Sequence, residues 1–404
     1  MQFSHDKRRQ PIILRIPGGV AIGLATVSIT MMAFFRVSFL ADIGEDLAMS
    51  VSRLGLFITL FGVGRLAADV PSGGLADRIH PRKLMAAAAL IVAVGSLLLG
   101  AAPSSGWAFG AALLLGVGSS LTNTTSQVFF TVRTPIESRG MAMSLYMGSL
   151  MAGMAFGATL GGGIASISTW RTAELAAGLL LLCVSLFLLR LKSIESVVTD
   201  RTAPSPDRAA GRPPSTTIAS RVVLYAIPFT TFSAAAVTIQ TLIPIIGSQE
   251  LGLSNGEIGV AIGGGGVMRV LATIVGGRLS DRVSRKSALV PPMMIGALGV
   301  TVLAFGSGYL AWFSAILLMA VAAHAAGAAA TIIADLSPTA LIGKNLGTFR
   351  FAGDVGLIVA PLLGAWAFDA IGREAAFVPL AVLLAVVGLA AAWLVPETRW
   401  AGSS

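Results

Sequence analysis

Twelve runs of about twenty predominantly apolar residues, the first near Ile16 to Leu40 and the last near Glu374 to Val395, leave this chain few ways to fold. A helix of that length matches the hydrocarbon thickness of a bilayer, and within hydrocarbon each backbone N–H and C=O has to be paired inside its own segment. With 55% apolar and only 12% charged residues over 404 positions, the runs are too many and too long for a soluble core. The expectation is an all-α polytopic membrane protein with twelve transmembrane helices and both termini on one side. The apolar run after the basic amino-terminal tail is a full span followed by eleven more, so it is expected to stay in place and not to be cleaved as a signal peptide.

The second constraint is internal repetition. Between the second and third apolar runs lies Gly73-Gly74-Leu75-Ala76-Asp77-Arg78-Ile79-His80-Pro81-Arg82-Lys83, and between the eighth and ninth lies Gly277-Arg278-Leu279-Ser280-Asp281-Arg282-Val283-Ser284-Arg285-Lys286. Asp77 and Asp281 are 204 positions apart (281 − 77), and the same offset pairs Arg65 with Arg269 and Leu47 with Leu251. The loop Thr134-Pro135 to Gly140 returns as Ser337-Pro338 to Gly343 at 203 (338 − 135), so one residue has been lost between the copies. The chain therefore divides into two pseudo-symmetric six-helix bundles, 1–191 and 222–404. They are joined by a cytoplasmic linker over 192–221, rich in Ser, Thr, Pro, Ala and charge, which is expected to be flexible.

A net charge of +9 invites a nucleic-acid reading, but the basic residues are sorted by loop. Of the 28 Lys and Arg, twenty-one sit in the tails and even-numbered loops, three (Arg53, Arg171, Arg373) on the other side, and four (Arg36, Arg65, Arg269, Arg350) inside spans. That asymmetry puts the termini and the doubled motif in the cytoplasm of a plasma-membrane protein and leaves no nucleic-acid surface. The single cysteine, Cys183, has no disulfide partner and reads as a small packed residue of the sixth span.

The doubled pattern Gly-x-Leu-x-Asp-Arg between spans, ending in Arg-Lys, resembles the loop between helices two and three of the major facilitator superfamily and its echo between helices eight and nine. Both copies depart from the family pattern where His80 and Ser284 replace its second glycine. The resemblance implies a secondary transporter working as a monomer by alternating access. It also implies a cytoplasmic latch built from Gly73, Asp77, Arg78 and Arg82 and from Gly277, Asp281, Arg282 and Arg285, with Asp77 capping helix eleven and the glycines admitting close backbones. Independently, a carboxylate at the carboxy-terminal end of a helix faces the negative end of the macrodipole, so Asp77 needs a partner from elsewhere. Gly157-Ala158-Thr159-Leu160-Gly161-Gly162 resembles the helix-five antiporter motif of drug exporters, with Ala158 replacing its proline, and Ala112 stands where exporters carry an arginine in helix four.

Charges inside spans are costly unless paired or wetted. Helix two holds Arg65 and Asp69, and helix eleven holds Arg350 and Asp354, both at i, i+4 and so on one helical face; Arg269 repeats Arg65 with Thr273 in place of the carboxylate. The pairs are either ion pairs that break and re-form during transport or static ones, each satisfied within its own helix. The resemblance assigns helices one, four, seven and ten to the substrate cavity. Candidate cavity residues are Arg36 and its repeat Gln240 (240 − 36 = 204), Asn123 and Gln127 from the polar run Ser119 to Gln127, and His324. Arg36 has the alternative of snorkelling outward, and His324 that of a hydrogen bond to a neighbouring helix instead of a proton relay.

No phosphate-binding loop accompanies the glycine run Gly263 to Gly266, and the three histidines show no metal-ligand or catalytic spacing, so neither an enzyme nor a cofactor is expected. The expected partners are the lipid bilayer, a small-molecule substrate and protons as coupling ion. The expected activity is proton-linked export of a small organic solute, with uptake by symport and a non-transporting sensor as the alternatives.

Overall fold

The computed structural model of this chain describes residues 18–132, 139–190, 217–337 and 341–398, and these are helical apart from short turns. Among the described residues, twelve helices are long and apolar enough to cross a membrane. In chain order they are α1 (Gly19–Asp46), α2 (Val51–Arg78), α3 (Pro81–Gly100), α4 (Ser105–Val132), α5 (Arg139–Ile167), α6 (Trp170–Arg190), α7 (Ile218–Glu250), α8 (Asn255–Arg282), α9 (Lys286–Phe305), α10 (Gly308–Leu336), α11 (Ile342–Ala370) and α12 (Arg373–Leu394).

Local chemistry accounts for several boundaries. Ser254 and Glu257 form a capping box at the start of α8, each side chain accepting the other's backbone N–H. His80 Nδ1 accepts the Arg82 N–H with Pro81 at the first position of α3, so the residue that replaces the motif's glycine serves as a helix cap. The turn before α8 needs a left-handed residue, and Gly252 supplies it at φ 64°.

Three expectations shift. The first span does not end near Leu40, since Leu40–Asp46 is helical and carries the acidic stretch Asp42 to Asp46 within α1. The second half begins at Ile218 behind the Thr217 cap, four residues earlier than expected; linker residues 191–216 and the proline-bearing loops at 133–138 and 338–340 lie outside the described residues. Cys183 is exposed on α6, not packed.

Contacts group the chain into two compact units, one of Met1–Phe39 with Leu60–Pro204 and one of Leu40–Thr59 with Ser205–Ser404. Within the first, α3 packs against α4 and α6, and α1 against α5; within the second, α7 packs against α11, and α9 against α10 and α12. The α1–α5 seam is built on glycine. A methyl group at Gly157 or Gly161 would collide with the carbonyl oxygens of Met31 and Phe35, and one at Gly153 would lie 2.8 Å from that of Val27. The second unit repeats the device on the α7–α11 seam. Gly356 and Gly364, each 203 positions after Gly153 and Gly161 (356 − 153, 364 − 161), meet the Phe229 carbonyl and Val237. Without a hydrophobic drive between helices in lipid, such close contact carries the packing. Gly161→Leu is therefore expected to destabilise the fold by about 1–3 kcal/mol or more, read as a lowered unfolding temperature in detergent. The same change at Gly163, which has open space around it, should leave that temperature unaltered.

Candidate functional site

The first helix of each half leaves regular α geometry at the same repeat position. α1 tightens to a 3-10 turn over Phe35–Phe39, which contains Arg36. α7 widens into π turns over Thr238–Leu242 and Ile246–Glu250, the first containing Gln240. Non-α turns within a span redirect side chains and free backbone groups, and they gather at functional positions.

Arg36 is not at a cavity surface. It is 3% exposed, and its Nε donates to Glu174 Oε1 at 3.1 Å while Nη1 donates to the Ala33 carbonyl at 2.6 Å. Glu174, in the first turns of α6, is fully buried. This corrects the reading of Arg36 as a cavity or snorkelling residue, and it adds Glu174 to the charges buried within spans. Position 174 lies close enough to the end of its apolar run to pass as interfacial. Gln240 is half-buried on its π turn and makes no hydrogen bond among the described residues.

In α2 the i, i+4 geometry of Arg65 and Asp69 is present, but the ion pair is not. Arg65 Nη1 donates to Ser119 Oγ at 3.4 Å, and the Asp69 carboxylate accepts a short hydrogen bond from Ser120 Oγ. Adjacent serines of α4 thus hold the two charges apart, which corrects the reading of a pair satisfied within its own helix. The polar run of α4 continues below: Asn123 Oδ1 accepts from the Tyr146 hydroxyl of α5, and Ser126 bonds Thr26 of α1 at 2.6 Å. Asn123 is 9% exposed and Gln127 half-buried, so this run knits α1, α4 and α5 together. In α11, Asp354 is 5% exposed and Arg350 half-buried.

His324 lies just after an interruption of α10 at Ala323, and its ring occupies the space that a side chain at Gly276 of α8 would fill. Its buried Nε2 lies against the Gly276 backbone of α8, the neighbouring helix. Arg269, on α8, is half-buried.

At the doubled motif, a methyl group placed on Gly73 or Gly277 would meet nothing within 4 Å, so the expected close approach is not made. Arg78 and Arg282 are exposed. The side chains of Asp77 and Asp281, on which the latch depends, lie outside the described residues. The second copy instead has a partner set that the sequence did not single out. Arg285 donates through Nε to Asp335 Oδ2 of α10 at 3.2 Å and through Nη1 to Ser280 Oγ at 2.9 Å. Glu397, three residues past α12, accepts the backbone N–H groups of Arg285 and Lys286 at 2.8 and 3.2 Å, and Thr398 donates to Asp335. These bonds tie the ends of α8, α10 and α12 to one loop. In the first half, Arg82 takes its place at the start of α3 through the His80 cap.

On the opposite side of the second unit, Ser52 Oγ donates to Asp369 at 2.7 Å, Thr59 Oγ1 to the Ile358 carbonyl at 2.7 Å, and Asn255 to Asp42 at 2.6 Å. Gly55 completes this contact, since a methyl there would lie 2.5 Å from the Pro361 carbonyl.

The family model for the Major Facilitator Superfamily matches residues 21–268 and 229–401. Over 354 residues the chain is 27% identical to the magnetosome protein MamZ of Paramagnetospirillum magneticum, a match that covers 80% of this chain and 53% of that protein; the chain thus spans about half the length of the curated relatives it matches. It is 29% identical over 155 residues to the multidrug efflux pump LfrA of Mycolicibacterium smegmatis, covering 38% of this chain and 30% of the pump. Among solved structures, a bacterial homologue of the human lysosomal transporter Spinster superposes with a TM-score of 0.74 at 15% identity, covering 95% of this chain and 98% of that one. At that identity the likeness is one of fold.

Proposed function

The chain belongs to the Major Facilitator Superfamily, and from that premise we propose that this secondary transporter exports a small organic solute by alternating access, driven by proton entry. Its termini and the doubled motif lie in the cytoplasm in this reading, as the distribution of basic residues indicates. Similarity to an efflux pump favours export over uptake. The observation that carries proton coupling is Asp69. Its carboxylate is held by the Ser120 hydroxyl while Arg65 is turned to Ser119, so it takes up a proton without leaving a broken ion pair behind. A hydroxyl both donates and accepts, and Ser120 serves either protonation state.

Transport into everted vesicles, with and without an imposed pH gradient, tests direction and coupling together. Accumulation driven by an acid interior supports the proposal, and accumulation that ignores the gradient ends it. Alternating access has its own test at Ser52 and Asp369. With both replaced by cysteine, cross-linking is expected to arrest transport and reduction to restore it. Full transport by the cross-linked protein would show that this contact does not open in the cycle.

A further inference from the structure

Arg269 sits deep in α8, about 16 Å of helix from Ser280 and about 21 Å from Asn255 at 1.5 Å per residue. An arginine stem is too short to bring its guanidinium to either interface from there. Gly265, Arg269 and Gly276 fall within roughly 40° of arc at 3.6 residues per turn. The two glycines mark the face that packs on α10: a methyl at Gly265 would lie 2.7 Å from Ile316, and one at Gly276 would strike the His324 ring. Arg269 is therefore on the α8–α10 seam and does not face lipid.

Among the described residues its guanidinium has no hydrogen bond and no ion pair. Its repeat counterpart Arg65 has Asp69 one turn on, whereas here Thr273 stands in that place and gives its hydroxyl to the Arg269 carbonyl at 2.8 Å. The deep charges of the spans leave the same remainder. Arg36 is answered by Glu174, and Arg65 and Arg350 each have a carboxylate one turn on in sequence, Asp69 and Asp354, whereas α8 offers Arg269 none at that spacing. An uncompensated guanidinium within a bilayer is costly. His324 lies on the same seam two turns towards Ser280, its ring packed against the Gly276 backbone.

We propose that the missing counter-charge is the substrate: Arg269 binds an oxyanion group of the transported solute, and the solute is an organic anion such as a carboxylate, sulfonate or phosphate monoester. The planar guanidinium fork pairs such groups through two parallel N–H···O bonds. This rests on the transport reading above and specifies its substrate class.

The test uses the purified full chain in detergent, with benzoate, naphthalene-1-sulfonate and phenyl phosphate as probes and benzamide as a neutral counterpart, read by the shift in unfolding temperature. The parent is expected to bind at least one anionic probe about tenfold to a hundredfold more tightly than the neutral compound, the range for a charge-assisted pair. Arg269→Gln is expected to abolish that preference, and Arg269→Lys to keep part of it. Mapping of phenylglyoxal modification on the parent is a second readout that needs no variant to fold: Arg269 should be modified, and protected by the anionic probes but not by benzamide. The proposal is overturned by the absence of any preference for anions in the parent, by a preference that survives Arg269→Gln, or by modification that no anion slows. Vesicle assays separate the two levels. Export of neutral or cationic solutes only, unaffected by Arg269→Gln, sinks this inference and leaves transport standing; no gradient-driven movement of any solute sinks the transport reading itself.

Discussion

Glu174→Ala is expected to cost the protein about 3–5 kcal/mol, because it leaves Arg36 charged and buried with no counter-ion. Arg36 is 3% exposed, and its remaining bonds go to the carbonyls of Ala33 and Met32 and to Ser96, none of which carries a charge. The loss would show as a collapsed monodisperse peak on size exclusion and a sharply lowered unfolding temperature in detergent. Arg36→Met combined with Glu174→Leu removes both charges and is expected to recover most of that stability, since replacing a whole buried pair by apolar groups of similar size is often neutral. If the double variant folds and transports, the pair is a packing element of the first half. If it folds but does not transport, the 3-10 turn that Arg36 anchors has to change during the cycle. A Glu174→Ala protein as stable as its parent would show that the pair contributes nothing.

The second large effect concerns coupling. Asp69→Asn is expected to remove the dependence of transport on the pH gradient and to abolish substrate-induced proton release from the purified protein, while exchange of solute down its own gradient continues. Asparagine keeps an acceptor for the Ser120 hydroxyl, so the local fold is preserved and the protonation step alone is lost. Asp354→Asn tests the buried carboxylate of α11 in the same way, and His324→Gln is expected to alter substrate range more than coupling. Proton release by the Asp69/Asp354 double variant equal to that of the parent would make both carboxylates structural and move coupling elsewhere.

How much of this was legible in the sequence follows from the range of the forces involved. Number and length of spans are set by residues adjacent in sequence meeting one solvent, the hydrocarbon, so the twelve apolar runs determined twelve helices. The internal repeat determined two six-helix halves, because each copy of the motif has to end the same helix in the same way, and the spacing of Gly153, Gly161, Gly356 and Gly364 marks equivalent seams in both. The departure at His80 was visible in the sequence, but its use was not: only the structure shows its ring nitrogen capping α3. Partner choice was not readable. Arg65 and Asp69 share a helical face one turn apart, the spacing of an ion pair, yet Ser119 and Ser120 arrive from α4 with hydroxyls better placed for each. Arg36 found Glu174 from 138 positions away, and Arg285 found Asp335 from 50. A polar side chain in a membrane takes whichever satisfying group the helix packing brings nearest, and that packing is set by glycine contacts and helix rotation that no local pattern encodes. The sequence alone therefore determined that several charges lie within the spans; only the tertiary structure added the buried Glu174 to them and decided which are answered, and that Arg269 is not.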